Sequence, residues 1–181
     1  VAAATFHPGD DDLATLARHA FDDLGLRIAK LHCSVGRFEA DDPRLTPLWT
    51  AAEARALPVV VHAGHDVNGR TQAHELTPIR RVAERHPRLH LVIAHSALPD
   101  IDAALDLLER FPALYADLTS AAQWRSPMPV ARLERLHERL LFGSDCPNTT
   151  ITIAESATYL RALGLSDQAL RAVMGENAGR L

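Results

Sequence analysis

Six short apolar runs punctuate the chain: Val1–Phe6, Leu26–Leu31, Leu57–Val61, Leu89–Ala94, Ala113–Leu118 and Leu140–Gly143. They are continuous rather than alternating, and several are dense in Val, Ile and Leu. That is the signature of strands buried on both faces. Pro58 sits at the entry of the third run, where a missing N–H is tolerated. Between the runs the apolar spacing changes to that of a helix. Ile101, Ala104, Leu105 and Leu108 fall at i, i+3, i+4 and i+7, one buried face, and Pro112 marks the stop. Thr46-Pro47 and Thr77-Pro78 each place an N-cap residue ahead of a proline at the first helical position. Ser166 is set to cap a helix running through Val173, with Gly175 closing it.

Strand then helix, repeated in units of roughly 25–30 residues, predicts a parallel sheet with right-handed crossovers. A TIM (β/α) barrel has eight such units in about 250 residues. Six are visible over residues 1–181, read as one domain, so the expectation is a barrel lacking its first two βα units in this chain. An open doubly wound sheet would want a glycine-rich phosphate loop after an early strand, and none occurs.

Composition narrows the function. The chain has 181 residues, 47% hydrophobic and 23% charged, an ordinary globular make-up. A net charge of -4, spread without a basic block, speaks against nucleic acid or an anionic membrane as partner. No apolar run is long enough to span a bilayer, and no signal-type segment opens the chain. Two cysteines, Cys33 and Cys146, are too few for a disulfide framework, so a reducing cytoplasm is the expected setting. A small-molecule substrate is the expected partner, with a homo-oligomer left open.

Position carries the chemistry. Nearly every predicted strand ends in a residue that can bind a metal or move a proton: His7, Lys30 with His32, His62, His95, Asp117 and Asp145. In a TIM barrel the C-terminal strand ends converge on the active site. His62 leaves a very apolar strand, Leu57-Pro58-Val59-Val60-Val61, so its imidazole must hydrogen-bond or ligate there. Val92-Ile93-Ala94-His95-Ser96 repeats the arrangement on the next strand. Leu141-Phe142-Gly143-Ser144-Asp145 ends the last in a carboxylate. Two imidazoles and a carboxylate suit zinc or a similar first-row metal.

The strings IAKLH, LPVVVHAG, LVIAHSA, YADLTS, LFGSDCP and GENAGRL, in this order and spacing, resemble the amidohydrolase-related family. That family includes metal-dependent hydrolases and decarboxylases related to aminocarboxymuconate-semialdehyde decarboxylase. The resemblance runs from about Val1 to Leu181. It implies that His62 ligates a divalent metal, with zinc expected. It also implies that His95 is an acid/base near that metal, and that Asp145 both ligates and accepts a proton from metal-bound water. Relatives carry a His-x-His pair on strand one. No such pair occurs in this sequence, so strands one and two are expected to precede Val1. Lys30 matches a lysine that some relatives carboxylate to bridge two metals, although this branch mostly uses one. Asp117 is expected to orient a histidine or a loop.

His7, His32, His65 and His74 are candidates to line the same mouth. Arg37, Arg70 and Arg125 fall in loops where a guanidinium could grip a carboxylate, although a solvated loop role is the simpler one. Cys33 and Cys146 read as bystanders, the latter pointing away from Asp145 along an extended strand. The expected reaction is metal-assisted hydrolysis of an amide, ester or lactone, a C–N or C–O bond. Non-oxidative decarboxylation of an aromatic or unsaturated acid at the same site is the alternative. A non-catalytic barrel fragment acting with a partner is the rival of a different class.

Overall fold

The computed structural model describes residues 2–64, 72–125 and 127–181. In chain order its elements are β1 (Ala3–Thr5), α1 (Leu13–Arg18), β2 (Ile28–Leu31), α2 (Cys33–Gly36), α3 (Thr46–Ala54), β3 (Val59–His62), α4 (Gln72–Arg85) and β4 (Leu91–Ala94). There follow α5 (Ile101–Arg110), β5 (Leu114–Asp117), α6 (Ala121–Trp124), α7 (Val130–Leu136), β6 (Leu140–Leu141), α8 (Ile153–Arg161), α9 (Asp167–Arg171) and α10 (Asn177–Arg180). The six strands form one sheet in the order β1-β2-β3-β4-β5-β6, every neighbouring pair parallel. Sequential order with helical crossovers is the topology of a (β/α) barrel. Among the described residues β1 and β6 do not pair with each other, so the sheet is an open arc.

Each apolar run contains a strand, but the two faces differ. Ala29, Leu31, Val59, Val61, Leu91, Ile93, Leu114 and Ala116 are almost completely buried and join the core beneath the helices. Each such leucine contributes roughly 1.5–3 kcal/mol of burial free energy. The residues between them, Lys30, Val60, Tyr115 and Asp117, are only half-buried, although Val92 and Ala94 on β4 are buried. Burial on both faces was expected from the continuous runs. The concave face departs from that because an open arc has no opposite strands among the described residues to fill its interior.

Three helix boundaries differ from the sequence expectation. Thr46 is not an N-cap, since its hydroxyl donates back to the Pro43 carbonyl at 2.7 Å. The preceding turn, Pro43–Leu45, is capped instead by Asp42, whose carboxylate accepts from the Arg44 N–H. α4 starts before Thr77 and carries Pro78 inside it. Glu75 and Leu76, upstream of the proline, are buried, and that packing extends the helix back past the lost N–H. Ser166 does cap α9 through the Ala169 N–H. Gly175 adopts an extended φ, and the chain re-enters a helix at Asn177 rather than ending. The α5 stripe matches the spacing, with Ile101, Ala104, Leu105 and Leu108 all buried. No helix among the described residues is long and apolar enough to cross a membrane.

Asn177, 1% exposed, ties the C-terminal helix to the last strand. Its amide donates to the carbonyls of His137 at 2.6 Å and Leu140 at 2.7 Å. Asn177→Ala should strip the Leu140 carbonyl of this donor and leave the His137 carbonyl only the Leu140 N–H, at a cost of about 1–2 kcal/mol. Urea unfolding measures it, and a loss below about 0.5 kcal/mol would show that the tether carries little.

Candidate active site

The C-terminal strand ends open onto a cavity of about 440 Å³ lined by Lys30, His32, His62, His95 and Asp145, with Leu98, Ser120 and Trp124 at its walls. The parallel register brings these together. Lys30 pairs with Val60, and His62 with Ala94, so Lys30 lies one layer below the His62 row on the concave face. His32, two residues beyond Lys30, falls beside His62. Their rings stack with centroids 3.9 Å apart and planes 14° apart. The His95 ring meets His62 edge-on at 4.9 Å. His62 is buried, whereas Asp145 is exposed at the far wall.

His95 opens an unusual turn. His95, Ser96 and Ala97 have φ of 59°, 48° and 53°, three successive side-chain-bearing residues in the left-handed region. Such backbone costs of order 1–2 kcal/mol per residue and persists where its surroundings enforce it. Asp117 supplies much of that enforcement. One carboxylate oxygen accepts from the His95 N–H at 2.9 Å and the Thr119 N–H at 3.0 Å. The Ser96 hydroxyl donates to the Asp117 carbonyl at 2.5 Å. On the other side Gly64 lies against His95: a methyl added there would sit 3.0 Å from the His95 Cβ. The Ser120 hydroxyl is 3.4 Å from His95 Nδ1.

Asp145 lies four residues past β6, in a turn with φ of 55°. The strand is shorter than expected, and on its edge away from β5 the Phe142 N–H bonds to the Val173 carbonyl. Asp145 closes its own turn: its carbonyl accepts from the Asn148 N–H at 2.6 Å. Gly143 allows the chain to pass Thr119, since an added methyl would collide with the Thr119 hydroxyl. The extended path assumed for Cys146 is therefore replaced by a turn, and its thiol is exposed.

Burial holds the Lys30 ammonium below its ordinary pKa, while the Asp117 and Asp145 carboxylates pull it partly back. Burial, then the charges of Lys30 and His95, lower His32. Burial pushes the Cys33 thiol up to about 12, with Glu75 and Glu39 adding to the shift, so it stays protonated and unreactive near neutrality.

Other candidates fall elsewhere. His7 is fixed by its neighbours: Nδ1 accepts from the Gly9 N–H at 2.9 Å, which leaves Nε2–H to donate to the Gly36 carbonyl at 3.1 Å. It lines a separate cleft of about 280 Å³ that shares His32 with the main cavity. Arg37 closes α2 as its C-cap and Arg125 follows α6; both are exposed and neither lines the main cavity. His65, Arg70 and the side chain of His74 lie outside the described residues. Two features escaped the sequence reading. Trp124 stands at the cavity wall, 51% exposed. Glu75, buried at 6% exposure, accepts from the Gly64 N–H at 3.0 Å. A carboxylate in the first turn of an amphipathic helix looks like a solvated end, and only the fold shows it turned inward.

Removing the Asp117 acceptor tests its hold on the His95 turn. Asp117→Ala should lower stability by about 2 kcal/mol, and Asp117→Asn, which keeps an oxygen, by less than about 1 kcal/mol. Equal losses in urea unfolding would show that charge rather than hydrogen bonding matters.

The comparisons with known proteins fit this geometry. The family model described as Amidohydrolase matches residues 2–181. No functionally curated protein matches the chain. Among solved structures it is similar to an uncharacterized TIM-barrel protein from Bordetella bronchiseptica (TM-score 0.83, 24% identity, 98% of this chain and 64% of that one). It is also similar to 5-carboxyvanillate decarboxylase from Novosphingobium aromaticivorans, solved with bound manganese (0.72, 13%, 98% and 63%). A third is dihydroorotase from Campylobacter jejuni (0.61, 18%, 97% and 62%). The chain thus spans a little under two thirds of each of these structures. Its match over 2–181 and its barrel topology make it a member of the amidohydrolase family.

Proposed function

We propose that the cavity is the active site of a metal-dependent hydrolase cleaving a C–N or C–O bond of an amide, ester or lactone. The observation that carries this reading is the meeting of His62, His95 and Asp145 in one cavity at the C-terminal ends of parallel strands. Family membership supports it, since the family's reactions are enzymatic and its structural neighbours include a hydrolase and a metal-bound decarboxylase.

The donors fit a divalent metal in kind and fall short in number. Imidazole nitrogen and carboxylate oxygen suit zinc, and manganese is what the Novosphingobium enzyme holds. Among the described residues, however, no three His, Cys, Asp or Glu side chains stand close enough together to hold one. His62 and Asp145 would therefore be this chain's contribution to a larger ligand set. When bound, the metal supplies a more acidic water and polarises the substrate carbonyl.

The rest falls to the chain's own groups. Asp145, exposed at the wall, takes a proton arriving from the water side. His95, held by Asp117 and Gly64, lines the cavity and hands a proton to the leaving group. Lys30 gives the floor a positive charge, and Leu98 and Trp124 give it apolar walls. One observation favours decarboxylation as a second reading: Lys30, lining the cavity near Asp145, could hold a substrate carboxylate.

The test uses the full-length gene product and a panel of 4-nitrophenyl acetate, dihydrocoumarin, aryl amides and aromatic carboxylates, following acid and CO₂ release. Acid without CO₂ is the expected outcome. His95→Asn should cut turnover by about 10²–10⁴-fold. Asp145→Asn should abolish it with folding intact and lower the metal content per chain. A fully active Asp145→Asn enzyme would overturn the mechanism. CO₂ release would favour the second reading, and no turnover at all a non-catalytic barrel.

A further inference from the structure

Glu75 stands outside every role assigned so far. It lies in the first turn of α4, 6% exposed, where the helix dipole favours a negative charge. One carboxylate oxygen accepts the Gly64 N–H at 3.0 Å. Gly64 is two residues beyond His62 and is the residue on which the His95 side chain rests, within 3.0–3.3 Å of an added methyl. A continuous path therefore runs from Glu75 through the Gly64 backbone to the His95 ring. The His95 turn lies in the left-handed region at three successive residues and needs support from outside itself. Asp117 grips its backbone from the β5 side, and Gly64 meets the ring from the β3 side.

We propose that Glu75 is a positioning residue: by accepting the Gly64 N–H it fixes Gly64 against His95, and so sets the His62–His95 arrangement. The role needs an acceptor oxygen at that place, and a neutral amide oxygen would serve. It rests on the reading of His95 as the proton-moving group, but its direct signature is structural and can be read without turnover. A glycine at position 64 follows from the same contact, because any side chain there would push the His95 ring away.

The experiment compares Glu75→Gln, Glu75→Leu and Glu75→Ala in the ¹⁵N-labelled full-length protein. It reads Gly64 amide exchange and the His95 ring signals, assigned by their loss in His95→Asn. Glu75→Leu should speed Gly64 exchange by about tenfold or more and shift the His95 ring signals, whereas Glu75→Gln should leave both near the parent. Where turnover is found in the substrate panel, Glu75→Leu should lower kcat by about 10–10²-fold with KM within about twofold, and Glu75→Gln should restore most of it. A folded Glu75→Leu protein with parent-like exchange and ring signals overturns the proposal, as does a Gln variant as disturbed as the Leu variant. Should Glu75→Leu fail to fold, Glu75→Ala is read in its place: faster Gly64 exchange with shifted His95 signals supports the role, and parent-like exchange and signals overturn it. Absence of turnover in the parent would remove the hydrolase reading alone, since the exchange and ring measurements still stand.

Discussion

The parallel register of β2 through β5 is the constraint on which the site depends. Lys30 opposite Val60 and His62 opposite Ala94 bring residues from separate strands into two layers of one concave face. The side-chain period is two, so a one-residue slip of β3 would turn His62 into the helical core and bring Val61 to the cavity. The buried row Ala29, Leu31, Val59, Val61, Leu91 and Ile93 opposes that slip, since each would exchange a dry environment for a wet one. Packing on one face thus specifies chemistry on the other.

Beyond the strand ends, geometry is held by acceptors rather than by regular structure. Asp117 binds two backbone N–H groups and keeps a strained turn in place behind His95. Glu75 does the same for Gly64, two residues past His62, by accepting its N–H. Two carboxylates therefore act on backbone while a third, Asp145, faces the open cavity. The division is set by where each can reach: the first two sit among buried N–H donors, and the third lies in an exposed turn.

Much of this was legible in the residues. Continuous apolar runs ending in His or Asp located the strands and their polar ends, because buried parallel strands allow few polar residues before the loop. The stacked His32 was visible only as one of several candidates, since register, not sequence spacing, places it on His62. Glu75 and the left-handed turn at His95 were not legible: neither an inward-facing helix terminus nor a positive φ at His, Ser and Ala has a local sequence signal. Pro78 misled for the opposite reason, a strong local signal overridden by the burial of Leu76.

In the proposed function His62, at the end of β3, and Asp145, in the turn past β6, serve one metal at the mouth. Anomalous diffraction at the metal edge from crystals of the full-length protein tests it most directly. One peak is expected, about 2.0–2.2 Å from a ring nitrogen of His62 and a carboxylate oxygen of Asp145 together. A fully occupied peak that touches neither residue would contradict it.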